Sequence, residues 1–339
     1  MSGELLALLR EGTDVTIRWN DIIVTNNVAA VPPVNETPGD YVWNRGFNVV
    51  ILSRWGMPLF FCKCRGVNDT KLAHESRSMT ALRKVAHLQP YIPRVAVVQS
   101  DRLRVMITQF LPGTPLNDLL NGALQRRMVA IVRQTLEGIT ELSRHSTKAL
   151  PQFAEAGPID ILRETEEPLK YLADVGLSPD RASVLRNVVR GVPSLPRQLQ
   201  HGDLWPANIV RAGRRLWFID FEMFGTVQVP MYDVFHFLRT CTDGWTTRND
   251  GGWVNRMTRD GPETDLVRTC AGAAAGRLGL DMTQAVAALV FYIVHFSSTT
   301  HKRNPDGVVW KAFFQEVEAL AKALQHDVDI GRLFLGAPS

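Results

Sequence analysis

The sequence predicts an α+β chain in two parts: a small β-rich N-terminal lobe with one main helix, and a larger, mostly helical C-terminal lobe. Three observations predict it. Between residues 41 and 109, short apolar runs alternate with turn-forming residues and are interrupted once by a helical period. Beyond Pro115 nearly every periodic stretch reads as helix. The exception is a hairpin pattern at 209–219, with Gly213 in its turn. At 339 residues the chain is long enough for two domains or one large bilobal unit. The break at Pro112-Gly113 divides it into residues 1–110 and 111–339.

Residues 1–38 give mixed signals and are an uncertain extension of the first lobe. Val15 to Val24 suits a strand or two, and Val31 to Pro38, with its prolines, reads as a connector. Phe47 to Ser53 is a strand, Arg54 to Pro58 a turn containing Gly56, and Leu59 to Arg65 a second strand. Cys62 and Cys64 flank Lys63 on that strand, so both thiols share one face and read as buried. A helix is expected over Lys71 to His87, with the stripe Leu72, Met79, Leu82 and Ala86. Glu75 falls on the same stripe. A carboxylate on a buried face is costly unless paired, and Lys63 is the available cation. Val95 to Val98 and Leu103 to Thr108 form a hairpin across Gln99 to Arg102. Helices then follow at Leu124 to His145, Ile159 to Val175, Ser178 to Arg190, Met231 to Cys241, Asp265 to Leu278, Met282 to Thr300 and Val308 to Gln325.

Composition is that of an ordinary globular chain, with 45% hydrophobic and 21% charged residues. A net charge of +4 without a basic run or basic–aromatic repeat gives no reason to expect a nucleic-acid partner. The four cysteines form no disulfide framework, which fits a reducing compartment. Met1 to Arg18 carries acids and lacks the apolar core of a secretory signal. The most apolar stretch, Ala285 to Phe296, is too short to span a bilayer and suits a buried helix. The expectation is a cytoplasmic protein without an integral membrane segment; its oligomeric state is not legible.

Chemistry concentrates between Leu199 and Glu222. Asp203 lies in a loop that Gly202 and Pro206 keep from becoming helix. The hairpin that follows should bring Asn208 level with Asp220. Two carboxylates and an amide oxygen suit a hard divalent cation such as Mg²⁺. A further carboxylate beside the metal suits phosphoryl transfer, where it orients an attacking hydroxyl and takes its proton. Singly, each residue is common in turns and caps; the spacing is what carries the reading.

His201-Gly202-Asp203, then Asn208, then a strand ending in Ile219-Asp220, resembles the catalytic core of the kinase-like phosphotransferases. These include aminoglycoside phosphotransferases and the choline, ethanolamine, homoserine and fructosamine kinases. The resemblance implies a bilobal protein-kinase-like fold and transfer of the γ-phosphate of ATP (or GTP), with Mg²⁺, to a hydroxyl of a small molecule. It makes Asp203 the base, His201 the support of its loop, and Asn208 and Asp220 the metal ligands. Lys63 and Glu75 match the pair that holds the nucleotide phosphates. Gly46 falls where the phosphate-covering turn is expected, although neither G-x-G-x-x-G nor a Walker-A sequence is present. Backbone groups from Gln109 to Leu111 fall where the adenine is met. Asp233 is either a brace for the catalytic loop or a plain helix cap.

For the acceptor, the notable residues are Trp205, Trp245, Trp253, Trp310, His295, His301, Arg248 and Arg256. Aromatic faces suit stacking on a sugar or enclosing a quaternary amine. The near-balanced charge from Met231 onward favours a neutral hydroxylated metabolite over a polycation. The alternatives are a non-catalytic nucleotide-binding module and a protein kinase. Intact Lys63, Asp203, Asn208 and Asp220 weigh against the first. Gly202 in the catalytic loop and Phe221-Glu222 after Asp220 weigh against the second.

Overall fold

A computed structural model describes residues 2–12, 22–25, 46–53, 55–120, 125–155, 157–192, 194–243, 252–259, 261–305, 308–326 and 329–335. The chain divides into two compact units. One comprises Met1–Thr114 with Val210–Met223, the other Pro115–Ile209 with Phe224–Ser339.

The first unit is built on an antiparallel five-stranded sheet in the order β1-β2-β3-β5-β4. Its strands are β1 (Ile22–Thr25), β2 (Phe47–Leu52), β3 (Pro58–Gly66), β4 (Val95–Gln99) and β5 (Leu103–Gln109). Strand alternation decides what each face carries. Val49, Ile51, Cys62, Cys64, Val105 and Ile107 turn to one face, where they pack with Leu5, Leu8 and Leu9 of helix α1 (Ser2–Glu11). Burying each leucine stabilises the unit by about 2 kcal/mol. The described N-terminal segments, which carry only mixed signals in the sequence, are therefore part of this unit's core and sheet. Residues 13–21 and 26–45 lie outside the described residues, including the connector expected at Val31 to Pro38 and most of the predicted phosphate-covering turn.

Lys63, one residue out of phase with the cysteines, faces away from that core. There it meets helix α2 (Thr70–Leu82), whose start is fixed by Asp69 accepting from the Leu72 amide at 2.7 Å. Leu72, Glu75, Ser76, Met79 and Leu82 form its buried stripe. The helix ends five residues before the expected His87. Lys84, Val85 and Leu88 close tighter i→i−3 turns, and the Arg83 guanidinium donates to the Gln89 and Ile92 carbonyls. Pro90 bars further helix.

The hairpin of β6 (Ile209–Ala212) and β7 (Arg215–Phe218) forms as the sequence predicts. Its residues 210–223 belong with the first unit, although the sequence division placed them in the second lobe. The cause is packing. Phe218 stacks on Tyr91 with ring centroids 5.6 Å apart, its amide donates to the Tyr91 carbonyl, and the 3₁₀ turn Phe221–Met223 lies against α2.

The second unit is helical: α3 (Leu116–Leu120), α4 (Gln125–Ala149), α5 (Ile161–Asp174), α6 (Pro179–Arg190), α7 (Tyr232–Asp243), α8 (Gly252–Met257), α9 (Pro262–Leu278), α10 (Met282–Arg303), α11 (Val308–Gln325) and α12 (Ile330–Leu335). The apolar stretch Ala285 to Phe296 lies in α10, which starts at the expected Met282 and runs three residues past the expected Thr300. By length and composition α10 passes as a membrane span, yet most of its apolar window is buried. It packs against α5, α6, α7, α11 and α12, as a core helix does. An Asp281–Gln284 capping box starts it.

Candidate active site

In the first unit, the Lys63 ammonium lies 2.9 Å from both Glu75 oxygens and 2.7 Å from Asp220 Oδ1. Glu75 is 2% exposed, so the pairing predicted from its place on the α2 stripe is the one the fold makes. Burial disfavours the ammonium, but the two carboxylates outweigh it and raise the Lys63 pKa. Glu75 is also raised: burial comes first, Lys63 opposes it, and the charges of Asp220 and Glu222 add to it. One ammonium thus faces more than its own measure of negative charge. Asp220 follows β7 with φ of 68°, a left-handed conformation that an aspartate tolerates at a cost.

Gly46 precedes β2 with φ of 79°. A side chain there would meet Arg65 Cδ at 2.3 Å and the Cys64 carbonyl at 2.5 Å. Close packing on β3 thus explains this glycine by itself. Gln109 ends β5, paired with Phe60. The next amide, of Phe110, donates to the Leu59 carbonyl, and the Leu111 carbonyl accepts from Gly113 at 2.8 Å.

In the second unit, the loop around Asp203 is held from beneath by α7. Asp233, wholly buried in the first turn of α7, accepts from the His201 amide at 2.5 Å and the Gly202 amide at 3.0 Å. Its two oxygens thus serve a neighbouring loop, which decides between the two readings of this residue in favour of a brace. Gly202 adopts φ of 84° in that loop, where a side chain would be strained. Burial pushes the Asp233 carboxyl up to about 7, against the pull of the two amides. The brace is held in turn by Gln200, whose Oε1 accepts from the Asp233 amide at 3.2 Å.

His201 itself is fully buried. Pro206 begins the 3₁₀ turn Pro206–Asn208, which packs on α3 and α7. Asn208 Nδ2 donates to the Asp203 carbonyl at 2.8 Å and lies 3.4 Å from Asp203 Oδ2. That commitment leaves the amide oxygen as the end suited to a cation. Asp203 and Asn208 are therefore together in the second unit, and Lys63, Glu75 and Asp220 together in the first.

Of the acceptor candidates, Trp205 is 43% exposed two residues beyond Asp203. Trp253 is core: it is fully buried edge-on to Tyr292 and Phe334. His295 Nδ1 lies 3.1 Å from the Tyr232 hydroxyl, and His301 Nδ1 lies 2.7 Å from that of Tyr171. Arg256 pairs with Glu263 at 3.3 Å. Trp245, Arg248 and the Trp310 side chain lie outside the described residues.

Sequence reasoning missed His236. It is buried one turn after Asp233, with Nε2 3.8 Å from Asp203 Oδ1. The i, i+3 spacing from Asp233 was the available signal.

Among solved structures, the chain resembles the GDP complex of wild-type aminoglycoside 2'-phosphotransferase-IIIa, with a TM-score of 0.56 at 12% identity, over 96% of this chain and 98% of that one. The GDP and kanamycin complex of APH(2")-IIia gives 0.52 at 12%, over 96% and 99%. ADP-bound APH(2'')-Ib gives 0.52 at 12%, over 99% and 100%. At such identities the likeness is one of fold, and it is the kinase-like α+β fold that the sequence predicts. No curated protein matches the chain. The description "Phosphotransferase enzyme family" fits residues 45–268, which hold Lys63, Glu75, Asp203, Asn208, Asp220 and Asp233. The chain belongs to the phosphotransferase enzyme family.

Proposed function

We propose that the protein transfers the γ-phosphate of ATP or GTP to a hydroxyl of a small sugar-like or amino-alcohol metabolite. The observation that carries the reading is the Lys63–Glu75–Asp220 group, in which a buried pair and a strained aspartate are gathered on one ammonium. Glu75 holds Lys63 toward the nucleotide phosphates. Asp220 is a hard donor with surplus negative charge close to it, which suits Mg²⁺, and Asn208 of the other unit offers an oxygen of the same kind. When bound, the cation neutralises charge on the phosphates and orients them. Asp203 orients the acceptor hydroxyl and accepts its proton. An acceptor O–P bond then forms as the bond from the γ-phosphorus to the β–γ bridging oxygen breaks, and the nucleoside diphosphate leaves. Relatives of this fold hold GDP and ADP, which supports a nucleotide donor.

The acceptor is inferred from Trp205, whose exposed ring near Asp203 offers a stacking face for a sugar. Thermal shift tests the nucleotide claim: Mg·ATP or Mg·GTP at millimolar concentration should raise the melting temperature, since a ligand of the folded state alone stabilises it. No shift with either nucleotide, with or without Mg²⁺, would contradict the reading. A screen of hydroxylated metabolites for nucleotide consumption then identifies the acceptor.

A further inference from the structure

Helix α7 addresses the catalytic loop with two residues on one face. Asp233 takes the amides of His201 and Gly202, and one turn later His236 points its ring at the next residue, Asp203. The ring is packed against Phe296, with centroids 4.9 Å apart, and its Nδ1 lies 3.4 Å from the Tyr292 hydroxyl. Nε2 is buried and makes no hydrogen bond among the described residues, and 3.8 Å away is Asp203 Oδ1.

The chemistry of the two partners fixes the tautomer. An ionised carboxylate only accepts. A ring nitrogen facing it with a lone pair would be both unsatisfied and repelled, so Nε2 must carry the proton. Nδ1 is then the acceptor, and the Tyr292 hydroxyl the donor. Burial pushes the His236 pKa down to about 3, so the ring stays neutral and offers a hydrogen bond without a charge. A charged donor would hold the carboxylate ionised and weaken it as a base; a neutral N–H orients it at smaller cost. Asp203 is the more exposed partner, at 44% for its side chain. A small rotation of its carboxylate closes the gap, as such bonds tighten once substrate is bound.

We propose that His236, as the neutral Nε2–H tautomer set by Tyr292, is the positioning residue that donates to Asp203 Oδ1 and fixes the direction of its carboxylate. The functional half of this rests on the reading of Asp203 as base; the contact itself does not.

The test has two arms on the full chain. In the first, ¹⁵N-histidine NMR, with His236 assigned by the signal lost in His236→Gln, should show the Nε2–H tautomer, and Asp203→Ala should shift that resonance. An Nδ1–H tautomer, or a signal indifferent to Asp203→Ala, overturns the proposal whether or not the protein is active. In the second arm, Mg·ATP hydrolysis with water as acceptor is measured. His236→Phe keeps a ring in the pocket but has no donor, and kcat should fall about ten- to a hundredfold at unchanged nucleotide KM. His236→Gln, whose amide reaches the Nε2 position, should restore most of the loss. A folded His236→Phe protein with wild-type kcat overturns the positioning role. Absence of hydrolysis by the wild type counts instead against the phosphotransfer reading, and the NMR arm then decides the contact alone.

Discussion

Lys63 is outnumbered by the carboxylates around it, Glu75 at 2.9 Å and Asp220 at 2.7 Å. Two carboxylates on one ammonium leave a negative remainder, and Glu222 adds to it in its effect on Glu75. In a purely structural pair such a surplus is a liability. Beside a site for a divalent cation it is useful, because the cation supplies the missing charge. Glu75→Gln should therefore do more than loosen a salt bridge. Without its buried partner, Lys63 belongs to Asp220 alone and competes there with the cation. Mg·ATP affinity should fall about tenfold, equivalent to about 1.4 kcal/mol, with the fold retained. Isothermal titration on both proteins reads this, and wild-type affinity in the variant would show that Lys63 needs no help from Glu75. The pair was legible in the sequence because a strand period and a helix period pointed two opposite charges at one interior. The remainder was not. That Asp220 shares the same ammonium depends on a sequence separation of 157 residues.

At the scale of elements, helix α7 is the part whose role the sequence left open. A plain reading makes Asp233 an N-cap, but it lies inside the first turn and spends both oxygens on another loop. Its pKa is raised from 3.8 to about 7, mainly by burial. Between about pH 4 and 7 the folded protein thus holds a proton that the unfolded chain has released. Stability from this group is complete below pH 4 and lost as pH rises through 7. Asp233→Asn abolishes that dependence, so its cost should be larger at pH 5 than at pH 8. Urea midpoints of both proteins at the two pH values measure it. A cost that grows toward pH 8 would mean that the two amides keep the carboxylate ionised against burial.

Other elements were legible to different depths. The alternation of β3 is local, so Cys62, Lys63 and Cys64 could be assigned to faces at once. Helix α1 was missed because Leu5, Leu8 and Leu9 find their partners on strands some ninety residues away. The end of α2 was overrun because its apolar period continues past Arg83 while tertiary bonds of the Arg83 side chain stop it.

At the scale of the whole molecule, the second unit is tied internally by a buried ion pair between helices. Arg239 of α7 bonds Glu316 of α11 at 3.1 Å and lies 3.8 Å from the Phe313 ring, and Glu316 also accepts from the Trp253 amide of α8. Removing one partner strands the other charge, so Glu316→Ala should cost about 3–5 kcal/mol. That is a large share of the stability of an ordinary domain. Loss of less than about 1 kcal/mol in urea unfolding would show the pair to be hydrated or replaceable.

The proposed chemistry is divided between two carboxylates. Asp203 belongs to the second unit and is assigned the proton; Asp220 belongs to the first and is assigned the cation. Asp203→Asn and Asp220→Asn remove the same charge from the two roles, so Mg²⁺-dependent nucleotide binding, measured beside turnover, separates them. Asp203→Asn should bind Mg·ATP like the wild type while turnover falls by about 10² to 10⁴. Asp220→Asn should lose Mg²⁺-dependent binding and turnover together. Loss of Mg·ATP binding in Asp203→Asn, with binding intact in Asp220→Asn, would show that the two roles are assigned to the wrong carboxylates.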